Sequence, residues 1–144
     1  MMRAIEIASS GLSAQRRRMD AIASNLTNMN TTRTPSGEPY RRRDVVMRST
    51  EADGGSFASV FQGEMERSAR GVEVADVRES RAPFPKVYRP NHPDADEAGY
   101  VRLPNVNMLE ELGDLALTQR SYEAGLQVIT AAKTLLQKTL DALR

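Results

Sequence analysis

Apolar positions in this chain gather into two long stripes of helical spacing, one at each end, with none between them. Near the N-terminus Ile5, Ala8, Leu12, Gln15, Met19, Ile22, Leu26 and Met29 recur at alternating steps of three and four. Near the C-terminus Leu112, Leu115, Gln119, Tyr122, Leu126, Ile129, Lys133, Leu136, Leu140 and Leu143 do the same. This spacing keeps one seam turned toward a partner helix over several turns, which coiled-coil packing requires. It predicts a first helix from near Arg3 to about Asn28, roughly 40 Å long at 1.5 Å per residue. A second helix follows Asn105 or Asn107; with Asn107 as N-cap, Glu110 falls at the third position, an Asn variant of the capping box. Glu110, Glu111 and Asp114 in its first turns and Arg144 at its end suit the helix dipole. Gly11 costs a helix interior about 1 kcal/mol relative to Ala. Its neighbours Ser9, Ser10 and Ser13 make it the expected point of close helix approach.

Between the stripes the chain reads as extended. Helical patterning fades in Asn25 to Thr32, where Asn tolerates the left-handed backbone that ends helices and Thr favours extended chain. Thr34-Pro35-Ser36-Gly37-Glu38-Pro39 reads as a turn, since Pro fixes φ and Gly permits positive φ. Strands are expected over Tyr40 to Met47 and near 71–79, where Val72, Val74 and Val77 form a partial period-two stripe. A third extended piece fits Lys86-Val87-Tyr88, bracketed by Pro83, Pro85 and Pro90. Residues 51–66, with Gly54-Gly55, read as a flexible loop. The expected fold class is α+β, mainly α: N- and C-terminal helices paired as a coiled coil around a small middle segment containing a β-hairpin. The expected divisions are 1–30, 31–104 and 105–144.

A chain of 144 residues can build one modest core. With 5% aromatic residues and no Trp, that core is expected to be thin. The absence of Cys removes disulfides and thiolate metal sites, and fits a chain that crosses redox compartments unfolded. Residues 1–50 hold nine Lys/Arg and four Asp/Glu, a net +5; the remainder holds eleven and fifteen, a net −4. Such polarity could orient copies stacked head to tail. No stretch approaches the ~20 apolar residues of a membrane span. Arg3 and Glu6 interrupt any secretory signal, so export would need another route.

Candidate chemistry is sparse. His92, flanked by Asn91 and Pro93 and followed by Asp94 and Asp96, could be drawn as a metal cluster. It lacks the Gly and downstream Glu of a calcium loop and reads as a polar turn. There is no phosphate loop, nucleophile elbow or Cys/His pair, and the carboxylates are scattered. The reading is therefore of a protein that is not an enzyme, with no catalytic residues, cofactor or metal. Asn25-Leu26-Thr27 and Asn30-Thr31-Thr32 match glycosylation sequons, but a helix terminus explains them equally. Arg16-Arg17-Arg18 spreads around a helix and Arg41-Arg42-Arg43 alternates along extended chain. Neither triplet is interleaved with aromatics, so ion pairs or solvation fit better than single-stranded nucleic acid.

Several segments together resemble one family, the bacterial flagellar basal-body rod proteins, and within it the proximal-rod members. The resemblance runs from Ser10-Gly11-Leu12-Ser13-Ala14-Gln15-Arg16 through Ile22-Ala23-Ser24-Asn25-Leu26. It continues in the loop carrying Thr32, Arg33, Thr34 and Pro35, then Pro39, Tyr40, Arg41 and Arg42. Later it includes His92-Pro93-Asp94-Ala95-Asp96, Gly99-Tyr100-Val101, Pro104-Asn105-Val106-Asn107 and Tyr122-Glu123-Ala124. Departures are Glu38 where Gly is common, Met108 where Pro is frequent, and Gly125 where Asn is usual. Gly125 softens the middle of the last helix.

The resemblance implies a structural subunit of the shaft linking motor to hook, which transmits torque. Such subunits are exported by the flagellar type III apparatus without signal cleavage and assemble in the periplasm. Expected partners are other rod proteins, copies of this chain and the export apparatus, with no nucleic acid and no direct membrane insertion. The terminal helices would form an inner tube and the middle an outer part. The expected assembly interface is Ile5, Leu12, Met19, Ile22, Leu26, Leu112, Leu115, Tyr122, Leu126, Ile129, Leu136 and Leu140. Their seams are interrupted by polar and small residues, so the termini are expected to order only on assembly. Two other classes compete: a self-contained cytosolic coiled-coil adaptor, and a small basic nucleic-acid-binding protein using the arginine triplets.

Overall fold

A computed structural model describes residues 2–50 and 70–142. The order of elements is α1 (Met2–Thr27), β1 (Arg43–Ser49), β2 (Val72–Glu79), β3 (Lys86–Tyr88), β4 (Tyr100–Arg102) and α2 (Met108–Ala142). Two long helices thus frame a small β-containing middle, as the sequence pattern predicts. Its two antiparallel two-stranded sheets are β1–β2 and β3–β4, and β4 falls on residues where no strand was expected. The loop read over 51–66, Leu143 and Arg144 lie outside the described residues.

α1 and α2 pack against each other, and α1 also packs on β1 and β2. Leu12 lies against Gly125 and Asn25 bonds Glu111, so the two helices run antiparallel. The polar face of α1 is Arg3, Glu6, Ser9, Ser13, Arg16, Asp20, Ala23 and Thr27, all exposed at helical spacing. Ala4, Arg17 and Arg18 are exposed beside it, and the other described side chains of the helix are half-buried or buried. Beside the heptad stripe, a second stripe of small residues turns toward the sheet: Ala14 is buried, and Ser10 Oγ accepts the Val72 N–H at 3.0 Å. The core is thin: among the described residues the buried apolar side chains are Ala14, Ile22, Tyr40 and Val101, with Pro39 and Pro104 beside them.

β1 starts at Arg43 rather than Tyr40. The backbone of the preceding residues is used elsewhere: Tyr40 N–H bonds Thr31 O at 3.1 Å, and Arg42 N–H bonds Asn105 Oδ1 at 2.8 Å. The valine stripe of β2 steps by two from 72 to 74 and then by three to 77, and the pairing explains it. Met47 faces Val74 and Val46 faces Asp76, which leaves Ala75 as the extra residue of a bulge. The bulge keeps Val77, Val74 and Val72 opposite Val45, Met47 and Ser49.

The ends of the elements follow their sequence signals with one exception. Gly37, in the expected turn, has φ +81°, and its N–H bonds Thr34 O at 2.8 Å. α2 is capped by Asn107: its Oδ1 accepts the Leu109 N–H at 3.0 Å, and its amide donates to Glu110 Oε1 at 3.1 Å. α1, by contrast, does not end on a left-handed Asn, since no described residue other than Gly has positive φ. Thr27 Oγ1 and Asn28 Nδ2 instead bond back to the carbonyls of Ala23 and Ser24, at 2.8 and 2.9 Å.

Candidate assembly interface

The α2 stripe divides into two columns with different fates. Leu115, Tyr122, Ile129 and Leu136 are half-buried. The column four residues before each of them, Glu111, Thr118, Gly125 and Ala132, is buried or half-buried as well. Leu112, Gln119, Leu126, Lys133 and Leu140, the other half of the expected seam, are all exposed. The seam against α1 has therefore rotated by one column toward small and polar residues. Small side chains there let the helices approach closely. A Cβ on Gly125 would stand 2.8 Å from Leu12 Cδ2, so Gly125 is the point of close approach. Gly11, expected in that role, has nothing within 4 Å of the corresponding position.

What remains exposed on α2 is apolar on more than one side. Leu112 and Leu126 are 43% and 44% exposed, while Leu109, Leu117, Val128, Leu135 and Leu140 range from 54% to 80%. Leu126, Thr130, Ala131 and Leu135 line a shallow groove along α2 alone. A second groove, about 430 Å³, runs between the helices over Ala4, Ala8, Gly11 and Val128. Gln15 lines this groove, and its Oε1 is buried with no hydrogen-bond partner among the described residues. On α1 the expected interface residues are more covered: Ile22 is 4% exposed, and Ile5, Leu12, Met19 and Leu26 are half-buried.

Where the helices meet the middle segment, a buried polar cluster fixes their relation. Asn25 is 1% exposed and uses all four of its hydrogen-bonding positions. Its Nδ2 donates to Glu111 Oε2 and to Arg43 O, both at 3.0 Å. Its Oδ1 accepts from Tyr40 Oη at 3.0 Å and from the Arg43 N–H at 2.9 Å. Glu111, fully buried, also takes Arg42 Nε. Arg42 extends the cluster to Asp44 at 2.8 Å and Asp114 at 3.4 Å. Burial alone would lower the Arg42 pKa, but the Glu111 hydrogen bond and the charges of Glu111, Asp44 and Asp114 prevail and raise it. A buried charge is tolerable only when paired and hydrogen-bonded on this scale. The cluster joins α1, the 31–42 loop, β1 and α2.

The motif loop is folded around the same cluster. Thr34 Oγ1 closes the turn on Glu38 O at 2.7 Å, Pro35 is exposed, and Pro39 is buried beside Tyr40. Arg41 pairs with Glu38 at 3.2 Å and lies 4.4 Å over the Phe84 ring. Thr32 Oγ1 donates to Asp94 Oδ2 at 2.7 Å, and Arg33 pairs with Asp94 at 3.8 Å. His92 Nδ1 accepts the Asp94 N–H at 3.1 Å. The 92–96 turn is thus docked on the motif loop through Asp94.

Sequence reasoning missed the two central residues of the cluster. Asn25 read as part of a helix terminus and Glu111 as a dipole-matching charge. The available signal was a carboxylate sitting among the leucines of α2, one residue from the stripe. The charge asymmetry between the N-terminal third and the rest is in large part consumed within the chain. Arg18, Arg33, Arg42, Arg43 and Arg48 pair with Asp114, Asp94, Glu111, Glu79 and Glu73.

Comparison with known proteins converges on this framework. Residues 5–33 match the family "Flagella basal body rod protein", and residues 97–142 match "Flagellar basal body rod FlgEFG protein C-terminal". The chain is 42% identical to the "Flagellar basal-body rod protein FlgC" of Bacillus subtilis (strain 168), over 95% of this chain and 94% of that protein. It is 37% identical to the protein of the same name in Borreliella burgdorferi, over 97% and 95%. The one in Escherichia coli O157:H7 is 38% identical over 97% and 96%. The two matched regions hold the two helices, the second together with β4, and the full-length relatives span what lies between them: the chain belongs to the FlgC group of flagellar basal-body rod proteins.

Proposed function

We propose that this chain is a non-enzymatic structural subunit of the flagellar basal-body rod, and that its terminal helices form the inner layer of the shaft that carries torque from motor to hook. The observation that carries this reading is α2. A helix that is apolar around most of its circumference belongs in a buried place, and here α1 covers only one stripe of it. Neighbouring subunits, whether copies of this chain or other rod proteins, supply the remaining cover. The middle segment, 31–104, then faces outward. The arginine triplet at 41–43 is spent on internal carboxylates and a ring, which weighs against nucleic acid as partner. Export through the flagellar type III apparatus to the periplasm accords with a Cys-free chain whose thin core is easily unfolded.

Complementation tests the reading. In a flagellated cell lacking its own copy, the wild-type chain should restore swimming and be recovered in purified basal bodies. Leu126→Glu places a charge on an exposed column, so the subunit should stay folded yet be absent from basal bodies, leaving the cells non-motile. Normal incorporation of Leu126→Glu would remove that column from the interface.

A further inference from the structure

The β3–β4 hairpin breaks a rule that the rest of the molecule keeps. In β1–β2, charges that face each other across the strands are opposite: Arg43 with Glu79, Asp44 with Arg78, Arg48 with Glu73. In β3–β4, Lys86 faces Arg102. Like charges directly opposite are destabilising. Among the described residues neither has a carboxylate within ion-pair reach, and both are exposed. Side chains alternate along a strand, so Tyr88 and Tyr100 share this face, while Val101 on the other face is fully buried.

The two tyrosines are 62% and 45% exposed and are fixed in place nonetheless. Their rings meet edge to face at 5.3 Å. Tyr88 also lies over Gly99, where φ is +81° and a Cβ would stand 2.8 Å from the ring. The hairpin therefore presents two packed rings flanked by two cations that have no carboxylate partner among the described residues. Tyr and Arg are enriched in binding hot spots, and Tyr offers large contact area at little entropic cost.

The complementary surface lies six residues further along the chain, at the shoulder of α2. Met108 and Leu109 are 53% and 80% exposed, and beside them stands the exposed carboxylate of Glu110. Its Oε1 accepts from the capping Asn107 amide, and its Oε2 takes no protein partner among the described residues. Six residues of chain span at most about 20 Å. Both surfaces therefore sit at the same end of the subunit. A neighbour displaced by about that distance brings the shoulder of one copy onto the hairpin of the next. Different patches meet in such a contact, so it is heterologous and propagates rather than closing on itself.

We infer that the Lys86/Tyr88/Tyr100/Arg102 face of the hairpin receives the α2 shoulder of a second copy. Leu109 and Met108 pack on the tyrosine rings and Glu110 takes the charge of Lys86 and Arg102. This rests on the rod reading and names one of its copy-to-copy contacts.

The chain has no Cys, which makes the test direct. Two differently tagged copies, one Tyr88→Cys and one Leu109→Cys, are co-expressed in a flagellated cell lacking its own copy, and purified basal bodies are oxidised. A disulfide-linked dimer carrying both tags, absent when either cysteine is missing, is the expected result. Both tags present in the basal bodies without a mixed dimer would overturn the contact while leaving the rod reading intact. So would a Tyr88→Cys chain that links only to itself or to a different protein. Absence of both tags from basal bodies would overturn the rod reading and the contact with it. Arg102→Glu should reduce the mixed dimer at least fivefold, and Glu110→Lys in the other copy should restore it; failure of restoration assigns Glu110 no part in the contact and refutes the pairing.

Discussion

Asn25→Asp changes one NH2 group into an oxygen and should be among the most damaging isosteric substitutions in the chain. The amide it removes donates at 3.0 Å to Glu111 Oε2 and at 3.0 Å to Arg43 O. The new oxygen would therefore face a carboxylate and a carbonyl in a site that is 1% exposed. Two unit negative charges 3 Å apart repel by about 5 kcal/mol at an effective dielectric constant of 20. Protonation limits the cost: neutralising a carboxyl of ordinary pKa near 3.9 at pH 7 takes about 4 kcal/mol. Arg42, bound to the other Glu111 oxygen, offsets part of the repulsion, so a loss of about 2–4 kcal/mol is expected. That is a large share of the ~5–15 kcal/mol that stabilises a domain.

The pH dependence is the sharper signature. The introduced carboxyl has a folded pKa above its unfolded one, so the folded state holds the proton more tightly. The variant is then least penalised at low pH, and the penalty grows as pH rises from about 4 through the folded pKa, by up to ~1.4 kcal/mol per unit. Urea unfolding of the purified chain, followed by far-UV circular dichroism at pH 7 and pH 5, reads both quantities. The gap to wild type should shrink by at least about 1 kcal/mol at pH 5. A loss under about 1 kcal/mol at pH 7, or a gap that does not move with pH, would refute the Asn25–Glu111 contact as the lock between the helices.

Ile22→Glu, in contrast to Leu126→Glu, buries a charge at a position 4% exposed and should unfold the isolated subunit; a cooperative wild-type melt would refute its place in the core. Gly11→Ala should raise stability by about 0.5–1 kcal/mol, since nothing lies within 4 Å and helix propensity improves. Gly125→Ala should give no comparable gain, because its methyl meets Leu12; equal gains at both sites in urea melts would contradict the close approach at Gly125.

The helices, their cap at Asn107 and the strands near 71–79 and 86–88 were legible because each rests on a local signal. The bulge at Ala75 was not read from the sequence, where Val72, Val74 and Val77 gave only a partial period-two stripe; the pairing explains why the stripe changes step. The polar cluster was not. Asn25 and Glu111 are separated by 86 residues, and nothing in a periodic pattern marks a buried carboxylate except its intrusion near a stripe. The rotation of the α2 seam escaped for a related reason. Leucines define the pattern a sequence displays, but Gly125 and Thr118 let α1 come close, so the small column wins the intramolecular contact. The leucines at 112, 126 and 140 are left exposed. The same division bears on the expectation that both termini order only on assembly: the cluster and Ile22 join one end of the helix pair within a single chain, while the far turns of α2 keep only half-buried contacts at Ile129, Ala132 and Leu136.

The most direct test of this account is hydrogen exchange along α2, in the purified monomer and in isolated basal bodies. The account predicts protection in the monomer at 108–122, where the cluster anchors the helix, with fast exchange at 126–142. In basal bodies 126–142 should become protected. Uniform protection along α2 in the monomer, or fast exchange at 126–142 in assembled rods, would contradict the claim that neighbouring subunits complete the surroundings of this helix.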